Sequence, residues 1–501
     1  MKNKKYNAAY ILVLAVIILL MCGLIACAGP SEESNKKTPD EDSQAAAQSE
    51  EAAAPEKILP DVPEKDYDGY EFVILANSEE FTKHWQSRDI YAEEQTGEPI
   101  NDAVYFRNRA VEEKFNIKIN GAFPRDPPSA AKTSIMAGDD LYDMFSIMMG
   151  RVAPLAQEGL LLDLKNVPYI DLEKPWWDQR ANAQLSIGNK LFLTVSDLLI
   201  IDKDGVVAFY VNNDVIKQHF LDDPYKFVRE GVWTVDKLWE MAKQVSADLN
   251  GDGILDDEDK FGLLSATHTM HTHVVGSGQF VITKDNSDLP VINITHPIIQ
   301  ESFDKWMEIL SDRTHTLAAQ DFAHRHADLW DAQLDMFAEG RGLFMFTALN
   351  RTTMARAMDF SFGILPNPKL NESQTEYHNA VHPFATTAIA VPNSVKDPER
   401  TGIILEALTA ESYYTLRPAY FDVSLKNKLL RDEESGEMLE MIFATRVYDL
   451  AHVFNWGGIF TIFETLGAAR SANFVSAYEK VLPAAERDMN KTIDMFMEME
   501  P

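Results

Sequence analysis

The chain has 501 residues, with 46 basic side chains against 78 acidic ones and a formal net charge of −32. A field of that sign repels phosphate backbones and anionic lipid; it argues against nucleic-acid binding and leaves neutral solutes, cations and basic peptides as partners. The two cysteines, Cys22 and Cys27, both lie near the amino end, so the body carries neither a disulfide nor a cysteine-based metal site.

The first residues, "MKNKKYNAAYILVLAVIILLMCGLIACAG", place Lys2, Lys4 and Lys5 ahead of an apolar run from Ala8 to Met21. Charge, then hydrophobe, then small residues is the order of an export signal. The run also approaches the length of a membrane span, so an uncleaved anchor is the competing reading. "LIAC", Leu24 to Cys27, favours export: it resembles the bacterial lipobox, in which the cysteine after a small residue takes a diacylglycerol and becomes the mature amino terminus. Cys22 fits less well because bulky Met21 would fill the cleavage position. The expectation is a signal peptide over 1–26, a lipid on Cys27, and a protein anchored at the outer face of the cell membrane. Residues 27–66 are rich in Ser, Ala, Glu and Pro, with almost no large apolar residue before Ile58. They cannot bury a core and read as a disordered acidic tether.

From about Tyr67 the chain is long enough for two domains. "YEFVILA" (70–76) reads as a buried strand. "DAVYFRNRAVEEKF" (102–115) has helical apolar spacing with Asp102 as a candidate N-cap, and leads into a second strand at "NIKING". "LYDMFSIM" followed by "PLAQEGLLLDL" repeats strand then helix, and "GVVAFYVNN" is another buried strand. "WTVDKLWEMAKQVSA" sets Val235, Leu238, Trp239, Ala242 and Val245 on one helical face behind Thr234 as N-cap. This alternation predicts an α/β architecture.

The next stretch, "ADLNGDGILDDEDKFG", has the spacing of a calcium loop. Oxygen donors fall at positions 1, 3, 5, 9 and 12, namely Asp248, Asn250, Asp252, Asp256 and Asp259; Gly253 takes the turn position and Ile254 would donate its carbonyl. Position 12 is Asp, with a shorter reach than Glu. The upstream flank is helical and the downstream "KFGLLSA" is strand-like, so the loop cannot open a pair of helices as a sensor does. It reads as a static calcium clip, or as an acidic turn that binds nothing.

Catalytic signatures are missing: there is no phosphate-binding loop, dinucleotide fingerprint, H-E-x-x-H or G-x-S-x-G. His268, His271 and His273, and the pair His378 and His382, lack a specified partner for zinc and read as core or solvated histidines. Aromatics in loop-like contexts stand out instead: Trp85, the pair Trp176–Trp177, Trp330 with Phe344 and Phe346, Tyr413–Tyr414, and Trp456. Flat rings beside polar side chains suit the faces of sugars, although core packing explains any one of them equally well.

Together the lipobox, the acidic tether, "YEFVILA", "PWWDQ", "GVWTVDKLWEMAKQVSADLNGDGILDDEDKFGLL", "FGILPNPK", "EALTAESYYTLRPAYFDVSLKNKLLRDEESGEML" and "HVFNWGG" resemble the extracellular solute-binding proteins of family 1. These are lipid-anchored receptors of ABC importers in Gram-positive bacteria, akin to maltose-binding protein. The resemblance implies a two-lobed periplasmic-binding-protein-like fold of type II, with lobes joined by crossover segments and ligand held between them. Lobe 1 would hold 67–199 with about 375–430. Lobe 2 would hold 206–366 with about 437–490, and the carboxyl-terminal helices would straddle both. It further implies ligand-facing loops at Met148 to Arg151 and at Ala348 to Arg351, including Asn350 and Arg351. Trp456 of "NWGG" would be the stacking aromatic, and Asp197 and Arg151 would serve hydroxyls. The first two loops lack the tryptophans of the maltose type, which argues against a maltodextrin. The implied protein is no enzyme: it is a monomer that captures a carbohydrate, an oligosaccharide above all, and delivers it to an ABC permease. A peptide receptor of the same fold and a tethered polysaccharide-acting enzyme are the alternatives.

Overall fold

The computed structural model describes residues 57–499 other than 327, 354–360 and 422–433. The signal segment, Cys27 and the tether up to residue 56 lie outside the described residues.

Two sheets organise the body. The first is built from β1 (Tyr70–Ala76), β2 (Ile117–Ala122), β3 (Met144–Met148) and a late strand, Thr387–Ala390. β1 is central and parallel to β2 and β3, with Tyr70 opposite Ile117 and Ile74 opposite Met144. Phe72, Ile74, Leu75 and Ala76 are fully buried, as a strand covered on both faces requires. The helix α1 (Pro99–Phe115) begins a turn earlier than the apolar spacing suggests. Glu98 is its cap, accepting the Asn101 amide at 2.8 Å, and Pro99 fits the first turn because no partner is needed there for its missing N–H. Asp102 instead accepts the Thr96 amide at 2.8 Å and so closes the preceding loop.

After β3 the helix α2 spans Met149–Gln157. It was expected to run on through "GLLLDL", but Gly159 takes φ +71° and ends it. The apolar run then continues as extended chain, with the Leu162 amide donating to the Val391 carbonyl at 2.8 Å and Leu161 and Leu164 buried.

The second sheet holds β4 (Val207–Asn212), β5 (Phe261–Ser265), β6 (Thr316–Ala318), β7 (Gly342–Ala348) and β8 (Phe362–Leu365), in the order β8-β4-β7-β5-β6. β4 is buried along its whole length and antiparallel to both neighbours, whereas β5 is parallel to β6 and β7. Between β4 and β5 lies α3 (Val235–Ala242), capped by the Thr234 hydroxyl as its sequence predicts. Before β7 comes α4 (Leu329–Ala338).

The chain leaves the first sheet through residues 199–206 and returns through 366–386 to β9 (Thr387–Ala390), which lies antiparallel to β3. The two crossing segments touch. Val206 bridges Val381, and the His382 amide donates to the Gly205 carbonyl at 3.1 Å. A Cβ on Gly205 would sit 2.4 Å from the Ala385 carbonyl oxygen, so glycine is required there. Beyond β9, the helix α5 (Pro398–Tyr414) packs on α1, and α6 (Glu434–Ala444) packs on β8. The carboxyl-terminal α7 (Phe474–Glu498) covers the turn at Trp456–Gly458. None of the described helices is long and apolar enough to cross a membrane.

Candidate functional site

The cleft is assembled from segments that follow strand ends in both lobes. In the first lobe, Asn77, just past β1, pins the outgoing loop. Its amide donates to Ser87 Oγ at 3.1 Å and its side-chain nitrogen to the Trp85 carbonyl at 3.1 Å. This closed loop delivers His84 and Trp85 to the cleft. In the second lobe, the turn after β5 carries His268. The start of α4 carries Trp330, where the Asp328 carboxylate caps the Trp330 amide at 2.9 Å. The turn after β7 supplies Asn350 and Arg351, and the returning crossing segment supplies His382 and Phe384. These groups enclose a cavity of about 310 Å³. The Trp330 and His268 rings meet edge to face, 5.0 Å apart.

The cavity lining is mainly apolar, with a few polar groups of no single charge sign set into it. Burial holds the His268 ring down to about 4 and His382 down to about 3, so both stay neutral near pH 7. Arg351, 4% exposed, is neutralised by Asp331, whose carboxylate lies 3.2 Å from its guanidinium. Burial also raises the Glu464 carboxyl above its usual range. Two indoles, a phenyl ring, the neutral His268 and His382 rings and the paired Arg351 guanidinium therefore line one cavity.

Of the residues singled out from sequence as ligand candidates, Trp85, Trp330, Asn350 and Arg351 line this cavity. Arg151 is exposed in the first turn of α2, its guanidinium 5.5 Å from the centre of the Phe384 ring that borders the cavity. The others lie elsewhere. Trp456 is 1% exposed, stacked parallel on Phe454 with ring centres 5.1 Å apart, and its indole N–H donates to Thr492 Oγ1 at 2.8 Å. Packed under α7, it offers no face to a ligand in the cleft. Trp176 and Trp177 are also buried, and both indole N–H groups donate to the Glu406 carboxylate at 2.9 Å. With Asp197 they border a separate cavity of about 370 Å³, among Asp178, Asp202, Lys203 and Arg446. Burial raises the Asp197 carboxyl although Lys203 lies 3.7 Å away. His84, His268, His382 and Phe384 complete the cleft without having been chosen as ligand residues. The adjacent pair His84–Trp85 was the available signal.

The other histidines are structural. His273 is sandwiched between Trp306 and Phe346, with ring centres 3.9 and 4.1 Å away, and burial lowers it to about 3. His271 Nε2 meets Asp449 at 3.2 Å, and His378 lies edge-on to Phe280.

In the Asp-rich loop the oxygens close turns. Asp248 accepts the Gly253 amide at 2.9 Å, Asn250 that of Asp252 at 2.9 Å, and Asp252 that of Ile254 at 2.7 Å. Asp259 accepts the Leu249 and Asp256 amides at 2.8 and 3.0 Å, and Asp256 is paired with Arg325 at 2.9 Å. Among the described residues no three of these carboxylates bring a ligand oxygen within 4.8 Å of one another.

Comparison with known proteins places the chain. The family model described as bacterial extracellular solute-binding protein matches residues 109–415. No curated protein matches in sequence. Among solved structures, an ABC substrate-binding protein from Listeria monocytogenes in complex with cycloalternan aligns with a TM-score of 0.53 at 14% identity, covering 85% of this chain and all of that one. A cyclo/maltodextrin-binding protein complexed with maltotetraose aligns equally well (TM-score 0.53, 14% identity, 86% of this chain and 98% of that one). A maltose/maltodextrin-binding domain from Bdellovibrio bacteriovorus bound to maltotriose gives 0.52 at 14% identity, covering 84% and 100%. At such identity the likeness speaks for the fold, a two-lobed mixed α/β architecture of the type II binding-protein class, while the family match rests on the sequence itself. The chain belongs to the bacterial extracellular solute-binding proteins.

Proposed function

We propose that the protein captures a neutral oligosaccharide in the cleft and delivers it to an ABC importer without altering it chemically. The observation that carries this reading is the convergence of Trp85 and Trp330, one from each lobe, on a cavity that also holds the neutral His268 and His382 rings and the Asn350 amide. Sugar rings present apolar faces to indoles and hydroxyls to neutral imidazoles and amides. Binding proteins of the same fold have been crystallised with cycloalternan, maltotetraose and maltotriose, which supports the ligand class without naming the sugar. Capture would proceed by closure of the lobes, the ligand bonding both walls only in the closed form.

The test is calorimetric titration with a panel of neutral oligosaccharides and basic peptides, with tryptophan emission read in parallel. Trp330→Ala and Trp85→Ala should each weaken sugar binding by about tenfold to a hundredfold, since removing a large apolar face costs about 1–3 kcal/mol. Both variants should melt near the wild-type temperature. Unchanged affinity in both, or binding of peptides alone, rejects the reading.

We also propose that Cys27 bears the lipid that holds the protein at the outer membrane face; Cys27→Ser should then leave the chain unprocessed or released, seen by fractionation. The Asp-rich loop is proposed as a static calcium clip. Ile254 and the solvent-facing carboxylates of Asp248 and Asp252 would supply oxygens, and calcium should raise the melting temperature without changing ligand preference. A flat calorimetric trace at millimolar calcium would leave it a hydrogen-bonded turn.

A further inference from the structure

Two adjacent residues of the first lobe meet two carboxylates of the second at the rim of the cleft. His84 Nε2 lies 3.1 Å from Asp328 Oδ2, and Lys83 Nζ lies 3.5 Å from Asp331 Oδ2. Each partner is one or two residues from a cleft indole: Lys83 and His84 precede Trp85, and Asp328 and Asp331 flank Trp330. The contacts therefore cross the gap at the place where the spacing of the two aromatic walls is decided. We propose that these pairs form a clasp that holds the lobes closed and positions Trp85 opposite Trp330. The inference rests on the cleft being the ligand site, but its test reads lobe separation with no ligand present, so the two can fail separately.

The chemistry favours a clasp over a metal site, although the ligand atoms of His84, Asp328 and Asp331 lie within 4.8 Å of one another. All four carboxylate oxygens are engaged. Asp328 Oδ1 accepts the Trp330 and Asp331 amides at 2.9 and 3.3 Å, while its Oδ2 faces His84. Asp331 Oδ1 accepts from Arg351 at 3.2 Å, and Oδ2 faces Lys83. The Lys83 and Arg351 charges on Asp331 oppose a divalent ion there. The second-lobe half is rigid, since Asp328 is fixed as a helix cap and Asp331 by the buried Arg351. The first-lobe half is more exposed, with the Lys83 side chain at 69% exposure, as a contact that must release should be. Each pair is weak by itself in water, but opening the lobes breaks both together.

The experiment uses the full chain in detergent micelles, carrying Cys22→Ser and Cys27→Ser, with spin labels at Met136→Cys in the first lobe and Phe220→Cys in the second. Both positions are well exposed, at 69% and 94%. Pulsed dipolar spectroscopy then gives the ratio of closed to open distances. Asp328→Asn keeps a good helix cap while removing the charge, and should lower that ratio about threefold with an unchanged melting temperature. The combined Lys83→Ala and His84→Ala should lower it about tenfold, the scale of two exposed pairs. High salt should shift the wild-type ratio in the same direction and leave the double variant unmoved. Distance distributions identical across wild type and variants would overturn the clasp. So would a closed population that rises only when zinc is added to the wild type, which would assign a metal site instead.

Discussion

Arg446→Met should lower the free energy of unfolding by about 3–5 kcal/mol, the scale on which one partner of a buried ion pair is missed. The Arg446 guanidinium donates to Asp202 Oδ2 at 2.7 Å and also bonds Asp178. The side chains of Asp202 and Asp178 are only 1% and 10% exposed. Burial alone would push the Asp178 carboxyl up; the Arg446 charge, the Ala181 amide and the Lys203 charge together outweigh it and hold the group below its usual value. Without the arginine, two desolvated carboxylates share their cavity with Asp197, and Lys203 and Arg417 are both engaged with Asp197, so the nearest escape is protonation or unfolding. Urea unfolding at pH 7 measures the loss, and a change below about 1 kcal/mol would contradict the account. The sign with pH is fixed as well. A carboxyl whose folded pKa is depressed adds stability above its unfolded value near 3.8 and loses it as pH falls through the folded one. The gap between wild type and variant should therefore narrow below about pH 4.

The second large effect concerns Glu406, which lies under the paired tryptophans. Burial raises its carboxyl to about 7, against the pull of the two indole donors and the Asp171 amide toward the ionised form. The folded state therefore keeps a proton that the unfolded chain loses near pH 4.5, and stability must fall as pH rises between those values. Over that interval the expected loss is about 3 kcal/mol. Glu406→Gln carries no titrating group and still accepts one indole hydrogen bond, so its stability should stay flatter across the same range. Denaturation curves of the two proteins that run parallel from pH 4.5 to 8 would show that Glu406 is ionised throughout.

What the sequence disclosed and what it hid divide along a physical line. β1, β4 and β5 were legible because a strand buried on both faces is a continuous apolar run. Thr234 was legible as a cap because its hydroxyl acts within three residues. The loop at Ala348 to Arg351 was placed by the family resemblance, and it lines the cleft. Trp456 was misplaced because glycines beside an aromatic look the same whatever approaches them. Here the neighbour is α7: a Cβ on Gly457, at φ +56°, would lie 2.2 Å from the Ala485 backbone nitrogen. Trp176 and Trp177 take their meaning from Glu406, a carboxylate more than two hundred positions away. His84 and Trp330 likewise face each other's lobes only once both sheets are assembled. Local periodicity carries no record of such distant pairings.

The contact between the crossing segments has a mechanical consequence. Two crossing segments that each bent freely would let the lobes slide, tilt and rotate in any combination. Here the Gly205 carbonyl is tied to the His382 amide, and the backbone of Gly205 is pressed against Ala385. Segments joined this way act as a ribbon, stiff to shear and soft to torsion. The freedom such a joint would leave is a swing about one axis, like a book turning on its spine, with a point on either page following a fixed arc. Selectivity for the solute is then shared between the pages and the spine: any change that shifts the joined segments would alter the arc, and with it which molecules fit, without touching any of them.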